Sequence, residues 1–363
     1  MDTDTGWSRA AAETTGRWRT ILDRAKLAGR ASVPGATVPA PTAPEQVIPE
    51  QVIPEEIISE PRGEPVGARD GRPASAVGSA AVAGAIEWRT TADTAVNERI
   101  IQALRQDLGG PKVIAFANPK GGVHKTTATV LAAATIGSVR GRGVVAWDDN
   151  ELRGTLGLRA GSARHARNIR HLVTELAEVE EHNGDALRER LDDFLRHASD
   201  GSYDVLAGEE DPRFARKLDP PIVRRVLELM RRTHDVICVD TGNNVESSNW
   251  QTVLQMADQL VITSVPREDS AFSADWMLDI LVEAGMEELV ANAVTLFSCP
   301  TPRPSPMIND LVRHFATRTR AVAVVPYDQV LEHGASIEYR VLQPATRQAW
   351  LEAAGVILSR FTR

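Results

Sequence analysis

The sequence is poor in cysteine: 363 residues hold only Cys238 and Cys299. The first lies inside an apolar run and the second follows another, so a disulfide framework is not indicated and a reducing, cytoplasmic compartment is expected. Long apolar runs are lacking too. None approaches the ~20 residues that a membrane-spanning helix needs. The opening residues, MDTDTGWSRAAAETTG, are polar and acidic at their start, so no secretory leader is expected. Positive charge is in deficit, with 41 Lys and Arg against 49 Asp and Glu, a net charge of -8 and a pI near 5.6. That balance argues against a chain whose whole surface binds nucleic acid, while leaving room for a local basic patch. His165 and His171 lack metal-ligand spacing, and no acid or cysteine completes a site beside them.

What is present is organised around residues 113–127, VIAFANPKGGVHKTT. The apolar start reads as a buried strand. A turn with Gly121 and Gly122 follows, then Lys125, Thr126 and Thr127, and then the alanine-rich run ATVLAAATIGSV has the composition of a helix. A strand, a glycine-containing loop ending in Lys-Thr and a helix make a phosphate cradle. The glycines admit backbone N–H groups to the anion, the helix N-terminus favours negative charge, the lysine neutralises phosphate and the hydroxyl can hold Mg²⁺.

The strict phosphate-loop pattern G-x-x-x-x-G-K-[ST] fails at both glycines, where Pro119 and His124 stand. The variant K-G-G-x-x-K-T-T does match, led by Lys120. This run resembles the deviant Walker A loop of the ParA/MinD family of P-loop ATPases. The resemblance implies ATP and Mg²⁺ as ligands, with Gly121, Gly122, Val123, His124, Lys125, Thr126 and Thr127 around the nucleotide. It further implies Lys125 as the lysine acting on its own chain's phosphates, Thr126 as a Mg²⁺ ligand, and Lys120 as a lysine reaching the nucleotide of a second copy.

A second anchor is DVICVDTGNN, residues 235–244. Four apolar residues run into Asp240, the arrangement of a carboxylate at the end of a buried strand that binds Mg²⁺ directly or through water. By the same resemblance Thr241 to Asn244 form a switch-like segment, with Asn243 or Asn244 placed to hold water. Gly143 to Trp147 reads as another strand, with Asp148, Asp149 and Asn150 at its carboxyl end, where ligands bind in open parallel sheets. The run WDDNELRGTLG and the phrase REDSA resemble the actinobacterial MinD-like branch. That match makes Asp148 the first acid and puts Asn150 in the place of the second. Asparagine can orient water but cannot take its proton, so slow hydrolysis is expected. Pro326 and Tyr327, after the last strand, are implied as neighbours of the adenine.

Strands are expected also at Tyr203 to Ala207, Gln259 to Ser264, Ala293 to Phe297 and Ala321 to Val325, alternating with helices. The pattern argues an α/β protein with a mostly parallel, doubly wound sheet over residues 91–363. Before it, residues 1–30 allow a short amphipathic docking helix or a weakly helical tail. Residues 31–90 have linker composition, with a proline-spaced repeat at 44–58 (PEQVI, PEQVI, PEEII) that serves as a docking motif or a spacer. Val96, Ile100, Ile101, Leu104 and Leu108 form a helical stripe expected to pack on the sheet. Glu209, Glu210 and Asp211 are expected in a surface loop. The basic cluster Arg164, His165, Arg167, Arg170 and His171 is either a contact for DNA phosphates or, more commonly, a solvated helix face. The final helix, Ala345 to Phe361, is read as packed on its own sheet rather than on membrane.

The expected function is a Mg-ATP-dependent, homodimerising ATPase switch for partition or positioning of DNA or another large cargo, with an activator or cargo protein engaged through the N-terminal extension. The competing expectation is a weakly hydrolysing or non-hydrolysing nucleotide-binding scaffold beside a secretion or conjugation apparatus. It is motivated by His124 and Asn150.

Overall fold

The computed structural model describes residues 94–150, 154–160, 167–209 and 218–362. The docking-helix, linker and repeat readings, along with Arg164, His165, Glu210 and Asp211, fall outside the described residues.

Eight strands form one sheet: β1 (Lys112–Ala117), β2 (Val144–Asp149), β3 (Arg196–His197), β4 (Asp204–Leu206), β5 (Val236–Thr241), β6 (Gln259–Ser264), β7 (Val294–Ser298) and β8 (Ala321–Val325). Their order is β3-β4-β2-β5-β1-β6-β7-β8. Every pairing is parallel except the short antiparallel β3–β4 edge. The central strands are buried on both faces and accordingly read as continuous apolar runs rather than alternations. The doubly wound parallel sheet expected from the sequence is the observed fold.

Alternate residues of each strand feed two cores. On one face Val113, Ala115, Val239 and Ile262 meet the helices Ile169–Glu180, Pro220–Arg231, Ser248–Met256, Glu268–Glu283 and Ile308–Phe315. On the other, Ile114, Phe116, Cys238 and Val261 meet Lys125–Arg140 and the final helix Pro344–Leu358. The final helix buries Trp350, Ala353, Ala354, Ile357 and Leu358, so its apolar stripe is spent on its own sheet, as expected. The helix at 94–105 joins that face through Leu104 and through reciprocal amide bonds between Asn97 and Gln348 of 2.8 and 2.6 Å. No helix among the described residues is long and apolar enough to cross a membrane.

Two expectations are corrected and one strand is added. β2 continues through Asp148 and Asp149, both buried, because their amides and carbonyls stay in the ladder opposite Asp240 and Thr241. Glu209 is buried, not in a surface loop. Its carbonyl accepts the Gly154 N–H at 3.1 Å and its carboxylate accepts the Asn168 amide at 3.3 Å. The two-residue strand β3 carries no periodic signal of its own and was absent from the sequence reading.

The phosphate-loop helix lies so close to the β3–β4 connection that Gly137 leaves no room for a side chain. An ideal Cβ there would sit 2.1 Å from the Ser202 carbonyl oxygen. Gly137→Ala should therefore cost about 1–3 kcal/mol of stability or more, read as a lower denaturant midpoint at unchanged slope.

Candidate functional site

The turn after β1 is held from below by one buried amide. Asn118 donates to the Thr263 carbonyl at 2.8 Å and the Ser270 carbonyl at 3.3 Å, and its side-chain oxygen accepts the Lys120 N–H at 2.8 Å. The chain then passes through left-handed conformations at Gly122 (φ 74°) and His124 (φ 65°) before the helix begins at Lys125. His124 is the sole non-glycine residue with positive φ among the described residues. Its imidazole makes no capping bond to the helix start. A side chain at such a backbone costs about 1–2 kcal/mol, so the sequence's departure from glycine is a real strain in the loop. Burial, followed by the Arg159 charge, lowers the His124 pKa and keeps the ring neutral near pH 7.

Lys125 is buried, and its ammonium donates to the Asn118 carbonyl at 2.9 Å, the Lys120 carbonyl at 3.3 Å and the Asn243 side-chain oxygen. No carboxylate of the described residues lies at ion-pair distance from it. Burial pushes its pKa down to about 8, against the pull of Asp240. On the other side of the turn, Thr126 Oγ1 donates to Asp240 Oδ2 at 2.6 Å. Asp240 is 3% exposed, and its Oδ1 has no hydrogen-bond partner among the described residues. Burial, and next the neighbouring Asp148, raise its pKa to about 7.

These groups open onto a cavity of about 470 Å³. The loop residues Gly121 to Thr127 form one wall, with Asn150, Arg159, Asp240 and Asn243 beside them. Pro326, Tyr327, Gly334, Cys299 and Trp350 line it at the carboxyl ends of β7 and β8. The structure thus brings together the expected loop residues, Thr126, Asp240, Asn150, Pro326 and Tyr327. Two expected catalytic residues stand apart. Asp148 does not line the cavity. Its carboxylate accepts the Asn150 N–H at 3.2 Å and the Leu156 N–H at 2.9 Å, with Thr155 adding a third backbone bond, and it packs against Gly154 and Gly208. Lys120 also lies outside the cavity, half exposed and paired with Asp269 at 3.3 Å.

The sequence reading left one contributor open between two residues and missed another. Asn243 is resolved from Asn244 by its bond to Lys125, whereas Asn244 caps a local turn by accepting the Glu246 N–H at 3.1 Å. Arg159 brings a second cation, bonded to Thr127 Oγ1 at 2.8 Å. No sequence signal singled it out, because it belongs to no motif. The basic cluster is locally employed where it is described: His171 caps its own helix with Asn168, and Arg167 stacks over Phe194 at 5.1 Å.

The donors fit Mg²⁺ with phosphate. Asp240 offers a buried, unsatisfied carboxylate oxygen beside the Thr126 hydroxyl, a hard-oxygen pair. No cluster of three or more protein ligands exists among the described residues. One carboxylate and one hydroxyl, completed by phosphate oxygens and water, is how Mg²⁺ is usually held.

Comparisons with known proteins agree with this fold. Residues 111–281 match a family model described as an AAA domain. The ESX-1 secretion-associated protein EspI of Mycobacterium tuberculosis is 26% identical over 265 residues, 72% of this chain and 38% of its own length. The chain therefore spans under two fifths of that curated relative. Among solved structures, a ParA family ATPase from Chlorobium tepidum aligns with TM-score 0.57 at 18% identity, covering 68% of this chain and 98% of the other. The septum site-determining protein MinD of Pyrococcus horikoshii, complexed with Mg-ADP, aligns with TM-score 0.53 at 18% identity, covering 67% and 94%.

Two measurements follow from the loop and the buried acid. His124→Gly should raise stability by up to about 1 kcal/mol, the relieved strain being partly offset by glycine's unfolded-state entropy; an unchanged or lower melting point would show that the imidazole's contacts outweigh the strain. For Asp240, the folded-state pKa lies above the unfolded one, so the folded protein holds the proton longer. Its ionisation therefore destabilises the ligand-free fold increasingly as pH rises from the ordinary carboxylate range through about 7. The stability of Asp240→Asn relative to the unsubstituted protein should climb across that window, by a few kcal/mol on the order of the shift, and level off above it. Denaturant titrations at pH 5 and pH 8 give the difference.

Proposed function

We propose, for a chain with the ParA/MinD-like P-loop ATPase fold, that it is a Mg-ATP-binding switch that hydrolyses ATP slowly and changes its association state with nucleotide. The observation that carries this reading is the buried Lys125 ammonium, which faces the phosphate-loop cavity with carbonyl and amide oxygens for company and no carboxylate. A polyphosphate supplies the missing negative charge. Gly121 to Thr127 offer backbone N–H groups to it, Thr126 and Asp240 hold Mg²⁺, and Pro326 and Tyr327 lie where a base would sit. Bound Mg²⁺ would neutralise phosphate charge as the γ-phosphoryl group passes to water, leaving ADP.

Slow turnover follows from the acids. Asp148 is occupied by backbone amides, and Asn150 stands on the cavity wall where an acid was expected. Tyr327 donates to Glu332 at 2.8 Å, and Asp328 accepts the Val330 and Gln343 N–H groups at 3.1 and 2.9 Å. Asp240 is the remaining carboxylate on the wall, and it is the metal ligand. None of these is free to take a proton from an attacking water.

Homodimerisation is supported by the place of Lys120. Its ammonium lies outside its own chain's cavity, so it is available to the phosphates of a second copy once it leaves Asp269. The likeness to a secretion-associated protein favours a task beside a secretion apparatus, in which nucleotide-dependent association positions a protein cargo, over partition of DNA. A cytoplasmic location fits that task.

The test is molecular mass in solution together with ATP hydrolysis, with Mg-ATP and without nucleotide. Lys125→Ala should abolish nucleotide binding. Lys120→Ala should keep binding but lose the ATP-dependent dimer. A protein that binds neither ATP nor ADP and never changes mass would end this reading.

A further inference from the structure

Arg159 is a half-buried guanidinium on the wall of the cavity, at the end of the short helix Leu156–Arg159. Among the described residues it makes no ion pair, and its one side-chain hydrogen bond there is the 2.8 Å donation to Thr127 Oγ1. Its backbone carbonyl accepts the Ile337 N–H at 2.8 Å, and its Nη1 lies 3.2 Å from where a Cβ on Gly334 would be. The side chain is therefore fixed from two sides, by the first turn of the phosphate-loop helix and by the segment that follows β8. A guanidinium has five N–H donors. With one used by Thr127, the rest lack acceptors among the described residues. Holding an unpaired cation partly out of water is unfavourable unless something anionic fills the gap.

Its position along the cavity identifies that anion. The metal end is marked by Thr126 and Asp240, and the base end by Pro326, Tyr327 and Gly334. Arg159 touches Thr127 and Gly334, so it stands between the two ends, at the level of the phosphate nearest the ribose. We propose that Arg159 is a nucleotide-binding residue that grips the α-phosphate of a nucleoside di- or triphosphate, with Thr127 and Gly334 fixing its fork. Two cations then divide the polyphosphate: Lys125 serves the distal phosphates and Arg159 the proximal one. Arginine suits this role because its planar fork can donate two parallel bonds to one phosphate and keep its charge at any physiological pH. The proposal rests on the nucleotide reading above and adds to it a determinant of affinity that ADP and ATP share.

The experiment is titration of the full-length protein with Mg-ATP, Mg-ADP and AMP, followed by tryptophan fluorescence, since Trp350 lines the cavity. Arg159→Ala and Arg159→Lys are compared with the unsubstituted protein, with melting temperatures measured alongside. Arg159→Ala should weaken Mg-ATP and Mg-ADP by a similar factor, about 10- to 100-fold, at an unchanged melting temperature. The deficit should shrink as ionic strength rises, Arg159→Lys should recover part of it, and AMP should lose affinity with Arg159→Ala. Unchanged Mg-ADP affinity in Arg159→Ala would overturn the proposal and leave the nucleotide reading standing. Equal losses in the alanine and lysine variants, with a lowered melting temperature, would overturn it in favour of a strut between Thr127 and the 334–337 segment. Failure of the unsubstituted protein to bind any of the three nucleotides would remove the nucleotide reading itself and this proposal with it.

Discussion

A buried ammonium that has only dipoles for partners is the constraint from which the rest of the site follows. Lys125 must be solvated where water is scarce, and the protein does this with two carbonyls of its own loop and one side-chain oxygen from the segment after β5. Turning those carbonyls inward forces the loop to double back within a few residues. That reversal is what requires left-handed backbone at Gly122 and at His124. Asn118 then locks the base of the turn to β6 and to the helix after it, so the loop is rigid before any ligand arrives. Dipoles repay only part of the cost of burying a charge. A bound polyphosphate would repay the rest, which is why affinity for such an anion is the property this packing supports best.

The acidic side shows the opposite division of labour. Asp148 and Asp240 are register partners on adjacent parallel strands, both buried, each raising the cost of ionising the other. Asp148 is compensated by three backbone N–H groups and closes the turn at 154–156. Asp240 receives one hydroxyl and the more distant field of Lys125, and keeps one oxygen unsatisfied toward the cavity. The same residue type thus performs two jobs, separated by which of them found backbone donors. Burial raises the Asp148 pKa to about 6 in spite of its amide bonds, but the carboxylate is turned onto those amides and away from the cavity, and the asparagine two residues on has no proton affinity at neutral pH. On the proposed reading such a wall would bind nucleotide better than it hydrolyses it.

Much of this was legible in the sequence because phosphate cradles are local. Lys125, Thr126 and the glycines lie within one turn of chain, and apolar runs such as VIAFA and VICV announced buried parallel strands ending at ligands. Gln259 to Ser264 and Ala321 to Val325 were placed to the residue for the same reason. What escaped was whatever depends on contacts across the sheet. Arg159 meets Thr127 from 32 residues away and Gly334 from still farther, and neither spacing leaves a periodic trace. Asn243 and Asn244 are chemically identical in the sequence, and only the fold turns one toward Lys125. Glu209 reads as a surface acid because acids usually are, but Gly154 and Asn168 draw it inward. The sense of His124 φ was equally beyond reach, since the loop's reversal is a property of three-dimensional closure.

The two lysines of the loop show how position, rather than residue type, assigns a role. Lys125 is interior and has no ionic partner, so its energetics improve only when an anion enters its own cavity. Lys120, five residues earlier, is half exposed and already paired with Asp269, which Arg267 also contacts at 3.0 Å. An exposed pair of this kind is worth little, on the order of 0–1 kcal/mol. Releasing Lys120 from it therefore costs little, and a highly charged phosphate presented from outside the chain competes easily with one shared carboxylate. On the proposed reading the interior cation sets whether nucleotide binds at all. The exterior one is poised to respond to nucleotide held by another molecule, so on the proposed reading occupancy and association are sensed by separate charges joined through a rigid turn of six residues, Lys120 to Lys125.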